Sequence, residues 1–410
     1  MKLSAPALRR RSLLQAAGAL GASGLAPAFA QTATRPATGW VDVEKAARGQ
    51  TVYFNAWAGS DRINAYIQWA AAELKAAHGV TLEHVKISDA ADVVKRVRAE
   101  KAAGRQAGEG TVDLIWINGE NFAAMKREAL LLAPWAETLP NFRYVDTTGK
   151  PTTRNDFSVP TDGLESPWGM AQFTLFADSK RLPQPPQSMA ELLALARRQP
   201  GRISYPRPPD FTGTTFVKQA LIEHVTDVSL LSRPPVAADI ERVTAPLWQF
   251  LDALHPQLWR GGKQFPQNPA AIRQMMSDGE LLLGLTFNPN EPANEIAAKR
   301  LAASVTAWQF AKGTIGNTHF VAIPYNAKAA AGAQVVANFL LSARAQARKA
   351  DIAQWGDPTV LDIAKLPAAE RALFPSQPLP GQVAVTAPTL PEPHAAWVDP
   401  VEKEWLRRYS

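Results

Sequence analysis

Three times in the first third of the chain an apolar run stops at a short polar turn that opens an amphipathic helix, and this repetition most limits the fold. T-V-Y-F-N-A-W over 51–57 ends in Ala58-Gly59-Ser60-Asp61, ahead of a helix carrying Ile63, Tyr66, Ile67 and Ala70. Residues 80–87 alternate as a strand and give way to an amphipathic helix over 89–104, capped by Ser88 or Asp89. Leu114, Ile115, Trp116 and Ile117 read as a buried strand that breaks into Asn118, Gly119, Glu120 and Asn121. Asn-Gly is a strong hairpin signal, but a hairpin needs a second strand straight afterwards. The next residues instead set Phe122, Met125, Ala129 and Leu132 at helical spacing. Consecutive units of this kind predict a parallel, doubly wound α/β sheet whose strand-end turns share one edge, where ligands bind. The turns are polar because they sit on that rim, at helix starts with free backbone N–H groups. The alternative is that Asn118 merely caps its helix.

The rest of the chain repeats the theme less regularly. Residues 162–176 read as a loop leading to a crossing strand, and 188–198 as an amphipathic helix. I-S-Y-P-R-P-P-D over 203–210 ends a strand in three prolines before a helix that opens at Phe211 and runs through Val217, Leu221 and Ile222. Residues 281–287 form another apolar strand, stopped by Asn288-Pro289-Asn290-Glu291-Pro292. Gly316 to Pro324 reads as a strand returning toward the first domain, and 329–409 as mostly helical.

The first thirty residues stand outside this fold. Lys2, Arg9, Arg10 and Arg11 precede a mildly apolar stretch, and Ala28-Phe29-Ala30 is a small-x-small cleavage site before Gln31. This reads as a signal peptide cut after Ala30, and Arg10-Arg11-Ser12-Leu13-Leu14 matches the twin-arginine pattern, with the general secretory route as the alternative. The stretch is too short to span a bilayer, which takes about 20 apolar residues. Residues 31–50 come next as an N-terminal tether. With no cysteine in the sequence, a lipoprotein anchor, disulfides, thiol chemistry and cysteine-type zinc sites are excluded. Four of the 44 Lys and Arg lie in the leader, leaving 40 against 37 acidic residues, a net of about +3. No basic run with interleaved aromatics occurs, so nucleic acid is not an expected partner.

An exported α/β chain with these strand-end turns resembles the extracellular solute-binding proteins of bacterial ABC importers, and within solute-binding family 1 it resembles the YnjB-like group. W-I-N-G-E-N-F, E-S-P-W-G-M-A-Q, Y-P-R-P-P-D-F-T-G-T-T-F-V-K-Q, V-A-N-F-L-L-S and E-P-H-A-A-W carry the match. The resemblance implies a two-lobed periplasmic binding protein fold, type II-like, each lobe a doubly wound sheet flanked by helices, with a ligand cleft between them. It places lobe 1 in 51–168 and 317–410, C-terminal helices included, and lobe 2 in 169–316, with crossings near 166–171 and 315–321. It further implies a monomeric periplasmic protein that captures a small-molecule ligand by lobe closure and delivers it to an ABC transporter permease in the inner membrane. Neither cofactor nor metal is implied.

Carried over by position, Trp57, Ser60 and Asp61 offer a ring, a hydroxyl and a carboxylate from the first turn, and Asn118, Glu120 and Asn121 form the opposite side of the same rim. Trp168 at the first crossing either stacks on a ligand or packs, and the same choice holds for Trp57. Tyr205, Asp210, Thr212, Thr214 and Thr215 belong to the second lobe, where the threonines serve either the ligand or a helix cap. Asn288, Asn290 and Glu291 lie at its other strand end, with Asp61 and Glu291 open to the reading of solvated acids. Asn317 and His319 sit at the return crossing, and His319 reads first as a hydrogen-bonded hinge residue. Carboxylates beside Trp rings favour a cationic organic ligand, thiamine- or polyamine-like, over an oxyanion held by backbone N–H groups. Iron-binding relatives use adjacent tyrosines, and none of the six tyrosines here has a tyrosine neighbour. The competing class is a periplasmic enzyme acting on a small molecule in the cleft, against which stand the missing G-x-S-x-G, H-E-x-x-H, G-x-x-x-x-G-K and G-x-G-x-x-G motifs.

Overall fold

In the computed structural model, which describes residues 39–374, 383 and 387–410, the three strand-and-helix units form as expected. β1 (Thr51–Trp57) lies between β2 (Thr81–Ile87) and β3 (Leu114–Ile117), and all three are parallel. β3 is nearly buried on both faces, whereas β2, at the sheet edge, alternates and leaves Glu83 and Lys86 exposed. Helix Asp61–His78 packs Tyr66, Ile67, Ala70 and Leu74 against Val52 and Phe54 on one face. Helix Ala90–Ala102 sets Val93, Val94 and Val97 beside Ile115 and Ile117 on the other, and Asp89 caps it by accepting from the Ala91 N–H. The leader over 1–30 lies outside the described residues.

After a two-residue hairpin of β4 (Asn155–Asp156) and β5 (Val159–Pro160), the long β6 (Glu165–Gln172) runs through Phe173 into β7 (Thr174–Asp178). β7 is the middle of a second sheet, antiparallel to β8 (Leu283–Thr286) and to β9 (Val305–Trp308). The chain returns on β10 (Thr314–Ala322), antiparallel to both β6 and β3, and β11 (Thr389–Leu390) adds to the edge of β10. β6 and β10 thus carry the chain between the two sheets, which have separate hydrophobic cores.

Several elements depart from the sequence reading. The first sheet is mixed, because β6 and β10 run back along it. The second sheet is a small antiparallel one, where a doubly wound sheet was expected. Residues 203–207 form no strand, since Pro206, Pro208 and Pro209 supply no backbone donors; Ile203 and Tyr205 are buried all the same. Trp40–Ala47, inside the expected tether, is a helix whose Val43 and Ala47, one turn apart, join the first core against helix Ala330–Leu340. The last helix, Val398–Tyr409, buries Val401 and Trp405 in the second core and not in the first.

Candidate functional site

The turn after β3 is built around Gly119. Its φ of +65° and the Phe157 ring, which a Cβ would meet at 2.7 Å, leave room for glycine alone. Its N–H donates to Asp156 Oδ2 at 2.7 Å, fixing the hairpin under the start of helix Glu120–Arg127. Glu120 opens that helix. Its side chain is reached by solvent, yet the protein crowding it pushes its carboxyl above the usual carboxylate range. Lys218 draws it down again, while Glu402 and Glu392 add to the rise.

Lys218 comes from helix Phe211–His224 of the second half and is 1% exposed. Its Nζ lies 2.6 Å from Glu392 Oε2, 4.2 Å from the centre of the Phe157 ring and 5.8 Å from that of Phe211. Glu392 also accepts from Asn317 Nδ2 at 3.2 Å; burial raises its carboxyl, against the pull of Lys218 and Asn317. Glu402 of the last helix accepts from Thr214 Oγ1 at 2.5 Å and is likewise raised by burial, with Asp89 among the charges that add to it. Helices and turns from both halves therefore bring the charges of Glu120, Glu392 and Glu402 to bear on one another and on the paired Lys218. Phe211, whose ring lies 5.8 Å from Lys218 Nζ, is 41% exposed, and Trp57 at the end of β1 is 43% exposed.

A second set of turns meets beside it. Arg62 donates to the carbonyls of Ile352 and Ala353 and reaches Asn294 O at 3.4 Å, and the charge of Asp61 acts on Arg300. Asn290 Nδ2 donates to Gly356 O and Asn294 Nδ2 to Trp355 O, each at 2.6 Å, while Asn288 reaches Trp355 O at 3.4 Å. Below them Asp357 pairs with the buried Lys349 at 2.6 Å and with His319 Nε2 at 3.2 Å. Burial pushes Lys349 down, opposed by Asp357; burial raises Asp357, but Lys349 and His319 bring it below the usual carboxylate range.

Several of the expected site residues are structural. Trp168 is fully buried against Trp116, Trp355 and Phe54, so it supports the crossing from inside and offers no face to a solute. Tyr205 is buried, its hydroxyl tied to His255 Nε2 and Trp405 Nε1. Asp210 caps the helix through the N–H groups of Thr212 and Gly213, and Thr215 bonds to Phe211 O. Thr212, Thr214 and Thr215 are all buried. Glu291 is held by Arg273 and Thr286 inside the second half. Asn317 serves Glu392 and His319 serves Asp357, whereas Asn118, Ser60 and Asn121 are partly open near the seam.

The family described as bacterial extracellular solute-binding protein matches residues 69–373. The chain belongs to that family. It is also 52% identical over 374 residues to Protein YnjB of Escherichia coli (strain K12), with 91% of this chain and 95% of that protein covered. Among solved structures, the periplasmic binding protein AfuA from Actinobacillus pleuropneumoniae is similar with a TM-score of 0.61 at 14% identity, over 88% of this chain and 98% of that one. The spermidine/putrescine substrate-binding protein PotD from Streptococcus pneumoniae is similar with a TM-score of 0.60 at 13% identity, over 87% and 98%. At such identities the likeness shows the fold, a two-lobed periplasmic binding protein, and no more.

The candidate site residues read from the sequence did not include Glu392, Glu402, Asp156, Lys349 or Asp357, which make buried polar or charged contacts here, nor Lys218, one of the few cations near the strand-end turns. Lys218 left one signal, a lone cation in a helix apolar on nearly every side, T-T-F-V-K-Q-A-L. Glu392 and Asp357 lie in irregular segments where no periodicity marks a buried acid.

Proposed function

We propose that this chain is the periplasmic solute-binding component of an ABC transporter, which captures a small cationic organic compound between its lobes and delivers it to a membrane permease. Lobe 1 is taken as 51–168 with the segments after 317 that share its core, and lobe 2 as 169–316 with the last helix laid on it. The leader over 1–30 exports the chain, by the twin-arginine route, and the mature protein acts as a monomer.

The observation that carries the cationic reading is Glu120, a carboxylate open to solvent but crowded by both halves, with Glu402 near it and Lys218 already paired. Exposed Phe211 and Trp57 rings supply faces for a cation. PotD, named for spermidine and putrescine, supports the same class, while AfuA, seen with fructose 6-phosphate, represents the opposite one. Ligand affinity includes the free energy of lobe closure, so residues of the seam tune it without touching solute. Thermal melting against organic cations, amino acids and phosphate esters tests the reading. A true ligand at 100 times its Kd stabilises by about 2.7 kcal/mol. Stabilisation by the cations alone is expected.

A further inference from the structure

We infer that Lys218 and Asn317 form a seat for a carboxylate, that the chain fills this seat itself with Glu392, and that this occupant makes the cleft select against anionic solutes. The inference rests on the cationic reading above and names the residue that gives the cleft its sign. Glu392 belongs to neither sheet; it arrives on the strap between β11 and the last helix. Its Oε2 meets Lys218 Nζ at 2.6 Å, with both side chains 2% exposed, and its Oε1 accepts from Asn317 Nδ2 at 3.2 Å. An ammonium and an amide donor converging on one point are what the acid group of a solute needs. With Glu392 seated, neither is left for a solute. Glu120 and Glu402, both reached by solvent, carry carboxyls that feel the charge of Lys218.

The strap is a fixture and not a flap. Thr314 N donates to Pro388 O at 3.3 Å, Ser158 Oγ to Glu392 O at 2.7 Å, His394 N to Leu231 O at 2.7 Å and Ala395 N to Phe157 O at 3.0 Å. Trp397 Nε1 adds a bond to Arg233 O at 3.0 Å. These anchors reach the crossing strand, the hairpin of the first half and the second core, so a solute carboxylate displaces Glu392 only by undoing several bonds together. A linked group also competes as though present at about millimolar concentration or more.

Chemical rescue tests the seat. Glu392→Ala leaves Lys218 Nζ and Asn317 Nδ2 around a gap the size of a small carboxylate. The variant is expected to melt several degrees below the native protein, and sodium formate, against equal sodium chloride, is expected to restore at least half of the loss. Formate should leave the native protein and the Lys218→Met/Glu392→Ala double variant unmoved. If the single variant does not survive purification, refolding in formate and in chloride gives the same readout: recovery in formate alone supports the seat, and recovery in neither contradicts it. No rescue of Glu392→Ala, or an equal formate effect on all three proteins, overturns the inference. Inorganic phosphate stabilising the native protein would contradict both the cationic reading and the selection against anions, while the seat itself is decided by the formate result alone.

Discussion

Asn294 donates from its buried side-chain amide to the backbone carbonyl of Trp355 at 2.6 Å, joining helix Glu291–Ala297 to the core that holds Trp355. Asn290 makes the matching bond to Gly356 O. Each such bond contributes about 0.5–1.5 kcal/mol net, so Asn290→Ala/Asn294→Ala weakens this junction by roughly 1–3 kcal/mol. Small-angle scattering of the double variant should give a larger radius of gyration than the native chain under the same conditions. Superimposable curves would show that these amides do not hold the lobes.

Trp168 and Phe211 separate packing from binding. Trp168→Ala is expected to destabilise by about 3–5 kcal/mol, because it empties the centre of the first core. Phe211→Ala is expected to change stability little and to weaken a cationic ligand by about 0.5–2 kcal/mol. Denaturant melts and titration calorimetry check the two outcomes; the reverse pattern would put the ligand at the crossing.

Glu120→Gln should cost about 1.5–3 kcal/mol of affinity for an organic cation, the range for a hydrogen bond to a charged group. The ligand-free melting temperature should fall little or not at all. Because crowding raises the Glu120 carboxyl, native cation affinity should start to fall at a higher pH than for an ordinary glutamate. Calorimetry from pH 8 to pH 5 on both proteins checks this. A parallel decline in Glu120→Gln would assign the pH dependence elsewhere.

Glu165 is buried with both carboxyl oxygens unpartnered, and burial, with Asp156 next, pushes its carboxyl well above the usual range. The folded chain therefore keeps a proton that the unfolded chain releases near pH 4, at about the ordinary value for a glutamate in water. Stability from this group is full at low pH and is lost as pH rises toward the folded value. Glu165→Gln removes that loss, so its melting advantage over the native protein should grow from pH 5 to pH 8. A constant difference across that range would contradict the assignment.

The sheet edge was legible because β1, β2 and β3 carry period and punctuation in the chain itself: an apolar run, a small polar turn, a helical stripe. The crossings were expected from the family resemblance and not from an apolar run, since Glu165–Gln172 and Thr314–Ala322 mix polar with apolar residues. What stayed hidden depends on partners far away in sequence. Trp168 and Tyr205 look like ligand residues beside a glycine or a proline, and only the packing of Trp355 or Trp405 against them shows that they are core. Glu392 sits 174 residues from Lys218, in a segment with no pattern, so nothing local marks it as a buried acid. Trp40–Ala47 shows the opposite lesson, since Val43 and Ala47 did carry helical spacing in a stretch taken as a tether.

A cleft selective for cations is tested most directly by thermal melting of the native protein and Glu120→Gln, side by side, against matched sets of organic cations and organic phosphates or carboxylates. At least one cation should raise the native melting temperature in a concentration-dependent way, Glu120→Gln should lose most of this gain, and the anions should do nothing to either protein. A native protein stabilised by an anion and by no cation, with Glu120→Gln responding equally, would contradict a cationic solute held at Glu120.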